Sequence, residues 1–315
     1  MKTSFALYSF IYQPLKLYLD NPNFRLIYFS LEISAETLLA KLLSLHIYET
    51  YNREISYKKL LSRTKLSRLT EEDYQIVLES KVWVEKVEKI LYIYDKALTS
   101  DGFYAVTKSF AESHGEFINV DEREERYIAQ NPDLFVLGII DHVSLIKSKA
   151  GQTKKDAIDT VCSEAIYFRN KCDYSFVLLQ QLNRTSGSMD RRKAELQEIE
   201  LQDLKDTAGP SEAADVVLAI FFPHREKMST YRKYKIGQGF REAFRSLITL
   251  KNRYGECDQI IAINFFGSIG LFKELAEPEY FNTVIDYAPY IHLFPPIPTI
   301  MVENKDESIS DNFYI

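Results

Sequence analysis

The chain has 315 residues, 46% hydrophobic and 27% charged, with 21 Tyr and 20 Phe against 11 Gly and 10 Pro, which excludes extensive disorder and allows a large buried core. A net charge of −6 excludes a protein that coats nucleic acid with its whole surface, while leaving room for a local basic strip. Cys162, Cys172 and Cys257 are odd in number and widely spaced, without a C-x-x-C, which excludes a disulfide framework and a zinc site. The longest apolar runs, around Leu134–Ile140 and Val216–Phe222, are too short to span a bilayer, and the start carries no signal-peptide pattern. A soluble protein of the bacterial or infected-host cytoplasm, with no membrane partner, is expected.

In chain order, the pattern predicts a helix from Ser4 to about Leu19, stopped by Asn21-Pro22-Asn23, and a strand over Arg25–Ser30. Ser34 is a good N-cap for a helix that carries Leu38, Leu39, Leu42, Leu43 and Ile47 at helical spacing. Thr70-Glu71-Glu72-Asp73 opens another helix, followed by strands over Leu91–Tyr94 and Leu134–Ile140. A helix from Thr153 to Lys171 leads into a strand over Tyr174–Leu179. Ser186 to Pro210 is polar, rich in both charges and loop-like in part. Strands follow over Ala214–Phe222, Leu247–Leu250 and Gln259–Phe265, and from Glu277 the pattern fades into a Pro-rich stretch and an acidic end. Strands that are apolar on consecutive positions and alternate with helices predict an α/β fold. Its sheet is expected to be mostly parallel, twisted and covered by helices on both faces.

Four of these strands end in polar groups, and an open α/β sheet binds ligands at that carboxyl edge. Tyr28-Phe29-Ser30-Leu31-Glu32 places a carboxylate just after a strand, and Gly138-Ile139-Ile140-Asp141 ends a hydrophobic strand in an Asp, the arrangement that holds a hydrated Mg²⁺ against nucleotide phosphates. Gln180-Gln181-Leu182-Asn183-Arg184 adds amides and a guanidinium, and Lys251-Asn252-Arg253-Tyr254-Gly255 offers two cations at alternate positions. Any one of these is more often a helix cap or a solvated strand end; their joint order is the signal.

In that order the motifs resemble the DnaB-type replicative helicases, ring-forming motors with a RecA-like P-loop NTPase core. Phe29-Ser30-Leu31-Glu32-Ile33-Ser34 is similar to the family's second motif, Ile139-Ile140-Asp141-His142 to its Walker B, and Gln180-Gln181-Leu182-Asn183-Arg184 to its S-Q-L-N-R, with Gln180 in place of serine. Asp203-Leu204-Lys205-Asp206-Thr207 and Ala214-Asp215-Val216-Val217 resemble D-L-R-E-S-G and D-A-D-V-V, and Lys251-x-Arg253-x-Gly255 its K-x-R-x-G finger. The likeness covers residues 1–276 as a motor domain, with 277–315 as a C-terminal extension. Met1-Lys2-Thr3-Ser4 looks like the end of a Walker A loop entering its helix. The first strand and most of the phosphate loop are therefore expected to be missing, as in a truncated and phage-like form.

The resemblance implies an ATP-dependent helicase subunit moving 5′–3′ on single-stranded DNA in a homo-oligomeric ring, a hexamer in the family's manner, with ATP and Mg²⁺ as cofactors. Lys2 and Thr3 would meet the phosphates, with Arg184 also at the nucleotide, while Thr3 and Asp141 hold the metal. Glu32 would activate the attacking water, Gln181 would sense the γ-phosphate, and Lys251 and Arg253 would reach the neighbouring subunit's site. DNA would be met by Lys147, Lys149, Lys154 and Lys155, by Arg191, Arg192 and Lys193, and by the loop Lys205, Asp206, Thr207 and Ala208, where Lys205 and Ala208 replace an arginine and a glycine. The resemblance permits a primase, polymerase or helicase loader as partner. The end from Glu303 to Ile315, acidic and closed by Phe313-Tyr314-Ile315, reads as a frayed terminus or a docking tether. Two other readings stay open: a RecA-like recombinase or clock-type ATPase, and a catalytically dead ring component.

Overall fold

The computed structural model describes residues 1–62, 68–119, 125–183 and 198–281. Its helices, in chain order, are α1 Lys2–Ala6, α2 Gln13–Tyr18, α3 Ala35–Tyr51, α4 Tyr57–Leu60, α5 Glu71–Glu79, α6 Lys81–Ile90, α7 Ser100–Glu112, α8 Lys154–Cys172 and α9 Gly209–Ala213. The strands are β1 Phe24–Ser30, β2 Leu91–Tyr94, β3 Gly115–Asn119, β4 Glu125–Ala129, β5 Phe135–Asp141, β6 Ser175–Leu178, β7 Val216–Phe221, β8 Thr230–Tyr231, β9 Tyr234–Lys235, β10 Phe244–Asn252, β11 Ile260–Phe266 and β12 Leu271–Glu274.

A parallel sheet in the order β2-β1-β5-β6 forms the centre. Side chains alternate across a strand, so each apolar run feeds two cores. Leu26 and Tyr28 of β1 join Leu137 and Ile139 of β5 on the face covered by α1, α3 and α6. Ile27, Phe29, Val136 and Ile140 point the other way, into a core completed by α7 and α8. Helices on both faces explain why these strands carry no polar alternation. Gly138 is required by a close approach: a Cβ there would meet the Phe176 ring of β6 at 2.5 Å.

The helices start where side chains satisfy their free N–H groups. Ser34 accepts from Thr37 N ahead of α3, Thr70 accepts from Asp73 N ahead of α5, and Thr153 and Asp156 form a reciprocal capping box on α8. Asn52 and Asp173 end α3 and α8 in the left-handed conformation. The first helical run is continuous, but its middle, Leu7–Tyr12, widens into π turns just before Pro14. A proline lacks the N–H that an α turn needs, and a wider turn absorbs that defect.

The last strands depart from the expected parallel direction. They form a second sheet, β12-β11-β10-β7, in which every pairing is antiparallel. Phe266, Ile269 and Leu271 of that region pack into the same core as α1 and β1, and Phe5 meets Phe272 edge-on at 5.3 Å. Pro210, expected in a loop, sits in the first turn of α9, where its missing N–H is harmless. Residues 282–315, and so the expected Pro-rich stretch and acidic tail, lie outside the described residues.

Candidate functional site

Three neighbouring strands of the parallel sheet finish on one line. Ser30 of β1 is in register with Asp141 of β5, and Ile140 with Leu178 of β6. Leu31 N donates to Asp141 O at 2.9 Å, and Val143 N to Leu179 O at 3.0 Å, so the chain leaving each strand is tied to its neighbour. The segments leaving these three strands carry Glu32, His142 and Gln181. The first turn of α1 brings Lys2 to the same edge, and Thr3 is the next residue of that turn.

Lys2 Nζ lies 3.6 Å from Glu32 Oε2, which lies 4.0 Å from His142 Nε2. His142 Nε2 is 3.0 Å from Gln181 Nε2. Tyr28 OH donates to Asp141 Oδ2 at 2.8 Å, and both residues are fully buried. Asp141 Oδ1 is buried without a hydrogen-bond partner. Four of the residues selected from the sequence, Lys2, Glu32, Asp141 and Gln181, thus meet in one place, with Thr3 alongside Lys2.

Burial lowers the pKa of His142, and the charge on Lys2 lowers it further, so the imidazole is neutral at neutral pH. An amide nitrogen donates, so Gln181 Nε2 donates to Nε2 of the neutral ring, while Nδ1 is buried without a hydrogen-bond partner and the close Glu32 carboxylate forms no ion pair with the ring. Burial also lowers the Lys2 pKa, opposed by Asp141 and Glu32. Burial first, and the Asp141 charge second, push the Tyr28 phenol far above its ordinary range, so it stays a donor.

Lys251 and Arg253 sit at the far end of β10, across the bulge between Thr249 and Lys251. Lys251 Nζ donates to Ser211 O at 2.8 Å and to Glu212 O at 3.1 Å. Arg253 NH1 donates to Asp215 Oδ1 at 2.8 Å, and its NH2 to Glu212 O at 3.2 Å. The other oxygen of Asp215 accepts from Arg169 NH1 of α8 at 3.1 Å. This pair is therefore anchored on α9 and Asp215, and none of its hydrogen bonds reaches Lys2, Glu32 or Asp141.

The Lys205–Ala208 loop is braced from both sides. Gln180 Nε2 donates to Lys205 O and, at 3.0 Å, to Thr207 O. Lys205 N donates to Gln181 O at 2.9 Å, which links this loop directly to the segment carrying Gln181. Thr207 is buried, while Asp206 holds a positive φ of 74° and Ala208 is exposed. Of the basic residues after β5, Lys147 and Lys155 are exposed, Lys149 pairs with Asp101, and Lys154 bonds the Ile146 carbonyl. The latter two are engaged within the subunit, so they form no continuous free strip. Arg184, Arg191, Arg192 and Lys193 lie outside the described residues.

Sequence reasoning passes over Tyr28 and His142 as site residues. Tyr28 reads as one more apolar strand position, yet it shares a pleat face with Ser30, two residues on, beside the strand end. His142 directly follows the metal-type Asp141, and that adjacency is the available signal.

The model of the DnaB-like helicase C terminal domain matches residues 2–274. Comparison with curated proteins returns no match. Among solved structures, the fold is similar to a DnaB-like replicative helicase studied with its interactions with primase, at 18% identity and a TM-score of 0.62. That likeness covers 87% of this chain but 55% of the other, so the chain spans about half the length of that protein. At such identity the structural likeness speaks for the fold, a parallel sheet flanked by helices. With the family model matched over most of its length, the chain belongs to the DnaB-like helicase C terminal domain family.

Proposed function

We propose that this chain is the ATP-hydrolysing motor of a ring-forming helicase subunit that moves 5′–3′ along single-stranded DNA, with residues 1–276 as the motor domain and 277–315 as its extension. The meeting of Lys2, Glu32, Asp141 and Gln181 at one sheet edge carries this reading. Lys2 binds the β- and γ-phosphates, giving up its contact with Glu32. Glu32 then takes the proton of the attacking water, whose oxygen bonds to the γ-phosphorus as ADP leaves. Asp141 and Thr3 would hold a magnesium ion, since Asp141 Oδ1 is buried without a hydrogen-bond partner. A magnesium ion there would supply charge neutralisation at the phosphates.

Neutral His142 accepts from the Gln181 amide close to Glu32, and Gln181 shares a backbone hydrogen bond with the Lys205 loop. Loss of the γ-phosphate thereby reaches the Lys205–Ala208 loop, which meets DNA phosphates together with Lys147, Lys155 and the Arg191–Lys193 segment. Lys251 and Arg253 act on the neighbouring subunit's nucleotide, where such cations raise rates by about 10³–10⁵. A shared site calls for a homo-oligomeric ring, which we take to be a hexamer working in the cytoplasm in the family's manner, and primase, which interacts with the similar solved protein, is a partner class to test.

The test is ATP hydrolysis and strand displacement by the assembled protein. Single-stranded DNA should stimulate hydrolysis, in a salt-sensitive way. Glu32→Gln should keep ATP affinity within about threefold while kcat falls at least about 100-fold. Normal hydrolysis by Glu32→Gln would remove Glu32 from its role; hydrolysis without strand displacement would favour a recombinase-type ATPase.

A further inference from the structure

The segment from Thr207 to Asp215 is strung along α8. Thr207 Oγ1 donates to Asp159 Oδ1 at 2.8 Å and accepts from Gly209 N at 3.0 Å. Ten residues further along α8, about 15 Å at the helical rise, Arg169 holds Asp215. Between these anchors lies α9, whose last carbonyls, Ser211 O and Glu212 O, receive Lys251 and Arg253. Arg253 is fixed a third time through its backbone, by its N–H to Asp215 O at 2.9 Å.

The grip on Arg253 leaves it usable. A guanidinium has five N–H donors, of which Asp215 and Glu212 take two, and the side chain is 50% exposed. Asp215 itself is shared by two arginines and less exposed, at 26% for its side chain. A carboxylate held from behind by Arg169 presents its second oxygen in one direction, so Arg253 is aimed instead of swinging freely. Fixing a cation before the reaction is how preorganised charge stabilises a transition state.

We infer that Asp215 is a positioning residue: with Arg169 behind it, it aims Arg253 at the neighbouring subunit's nucleotide, and the α9 strap joins that aim to the Thr207 end of the DNA-facing loop. This rests on the proposed role of Lys251 and Arg253 in trans. Movement of the Lys205–Ala208 loop on DNA shifts α9 and therefore both cations, so DNA stimulation passes through Asp215.

The experiment measures ATP hydrolysis by the assembled protein, with and without a single-stranded oligonucleotide, for Asp215→Asn, Asp215→Glu, Arg169→Gln and Arg253→Ala. Losing a charged hydrogen bond predicts that Asp215→Asn lowers the DNA-stimulated kcat about ten- to hundredfold, with KM for ATP within about twofold. Asp215→Glu should restore part of the stimulated rate, and Arg169→Gln should lower it less than Asp215→Asn does. Arg169→Gln leaves Asp215 in place and carries the test should Asp215→Asn not fold. If Arg253→Ala is inactive while Asp215→Asn and Arg169→Gln keep a normal stimulated kcat, the positioning role is overturned and the trans role stands. If Arg253→Ala hydrolyses normally, the trans role fails and this inference with it. A raised KM at unchanged kcat would also overturn it, as would loss of rings by the Asp215 variants.

Discussion

Replacing Tyr28 by Phe removes one oxygen from the buried edge of the parallel sheet. That oxygen donates at 2.8 Å to Asp141 Oδ2, and neither side chain has solvent exposure. The second oxygen, Oδ1, already lacks a partner. Without the phenol the carboxylate therefore loses the side-chain donor that its buried position relies on. A hydrogen bond to a charged group contributes about 1.5–3 kcal/mol, and that range is the expected destabilisation. With a urea slope of about 3 kcal/mol/M, the midpoint should fall by about 0.5–1 M. Trp83 is the chain's single tryptophan, and its emission can follow the unfolding. Tyr127→Phe is the matched control, since its hydroxyl donates to the neutral Ala111 carbonyl at 3.0 Å. That variant should lose less than about 1 kcal/mol. Equal losses in the two variants, or a Tyr28→Phe midpoint within about 0.2 M of the parent, would refute the view that Tyr28 supports the Asp141 charge.

Gly138→Ala should destabilise the fold by about 1–3 kcal/mol, because the new Cβ overlaps the Phe176 ring; a parent-like urea midpoint would show that the ring yields freely. His46 stacks on Trp83 with ring centroids 4.3 Å apart, and burial lowers its pKa to about 4. The unfolded chain binds this proton first, near the ordinary value of about 6.5, so the contribution of neutral His46 is present above that pH and is lost as pH falls toward 4. His46→Gln should flatten the pH dependence of stability in that window, and Trp83 emission in the parent should titrate near 4. An emission midpoint near the ordinary histidine value would contradict the burial.

The parallel half of the fold is legible because burial on both faces writes continuous apolar strands, and because Ser34, Thr70 and Thr153 announce their helices as caps. The site is legible for a related reason: an open sheet gathers the residues just past its strand ends, so Glu32, Asp141 and Gln181 can be grouped without any geometry. Strand direction in the second sheet is not legible, since periodicity carries no direction. The apolar pattern marks only Leu247–Leu250, whereas β10 begins at Phe244, because Arg245 and Ser246 look like solvent-facing residues. Both are buried: Ser246 faces Tyr231, and the Arg245 guanidinium lies over the Phe222 ring at 3.5 Å, a pairing that only the packed structure creates. Helix α7 leaves little trace in the pattern because Gly102 in its first turn weakens the helical signal, although Thr99 caps it. Asp215 stands inside a recognisable motif, but its partners Arg169 and Arg253 are 46 and 38 residues away, a separation that no local pattern reports.

The claim that nucleotide hydrolysis is shared between subunits is tested most directly by mixing two inactive proteins. Glu32→Gln lacks the group proposed to activate water, and Arg253→Ala lacks the cation proposed to act on the neighbour. Each should be inactive alone with single-stranded DNA. After subunit exchange, sites that pair an intact Glu32 with an intact Arg253 from the next subunit should recover part of the ATPase rate, following the mixing ratio. Normal hydrolysis by Arg253→Ala alone, or no recovery in rings shown to contain both proteins, would contradict the account.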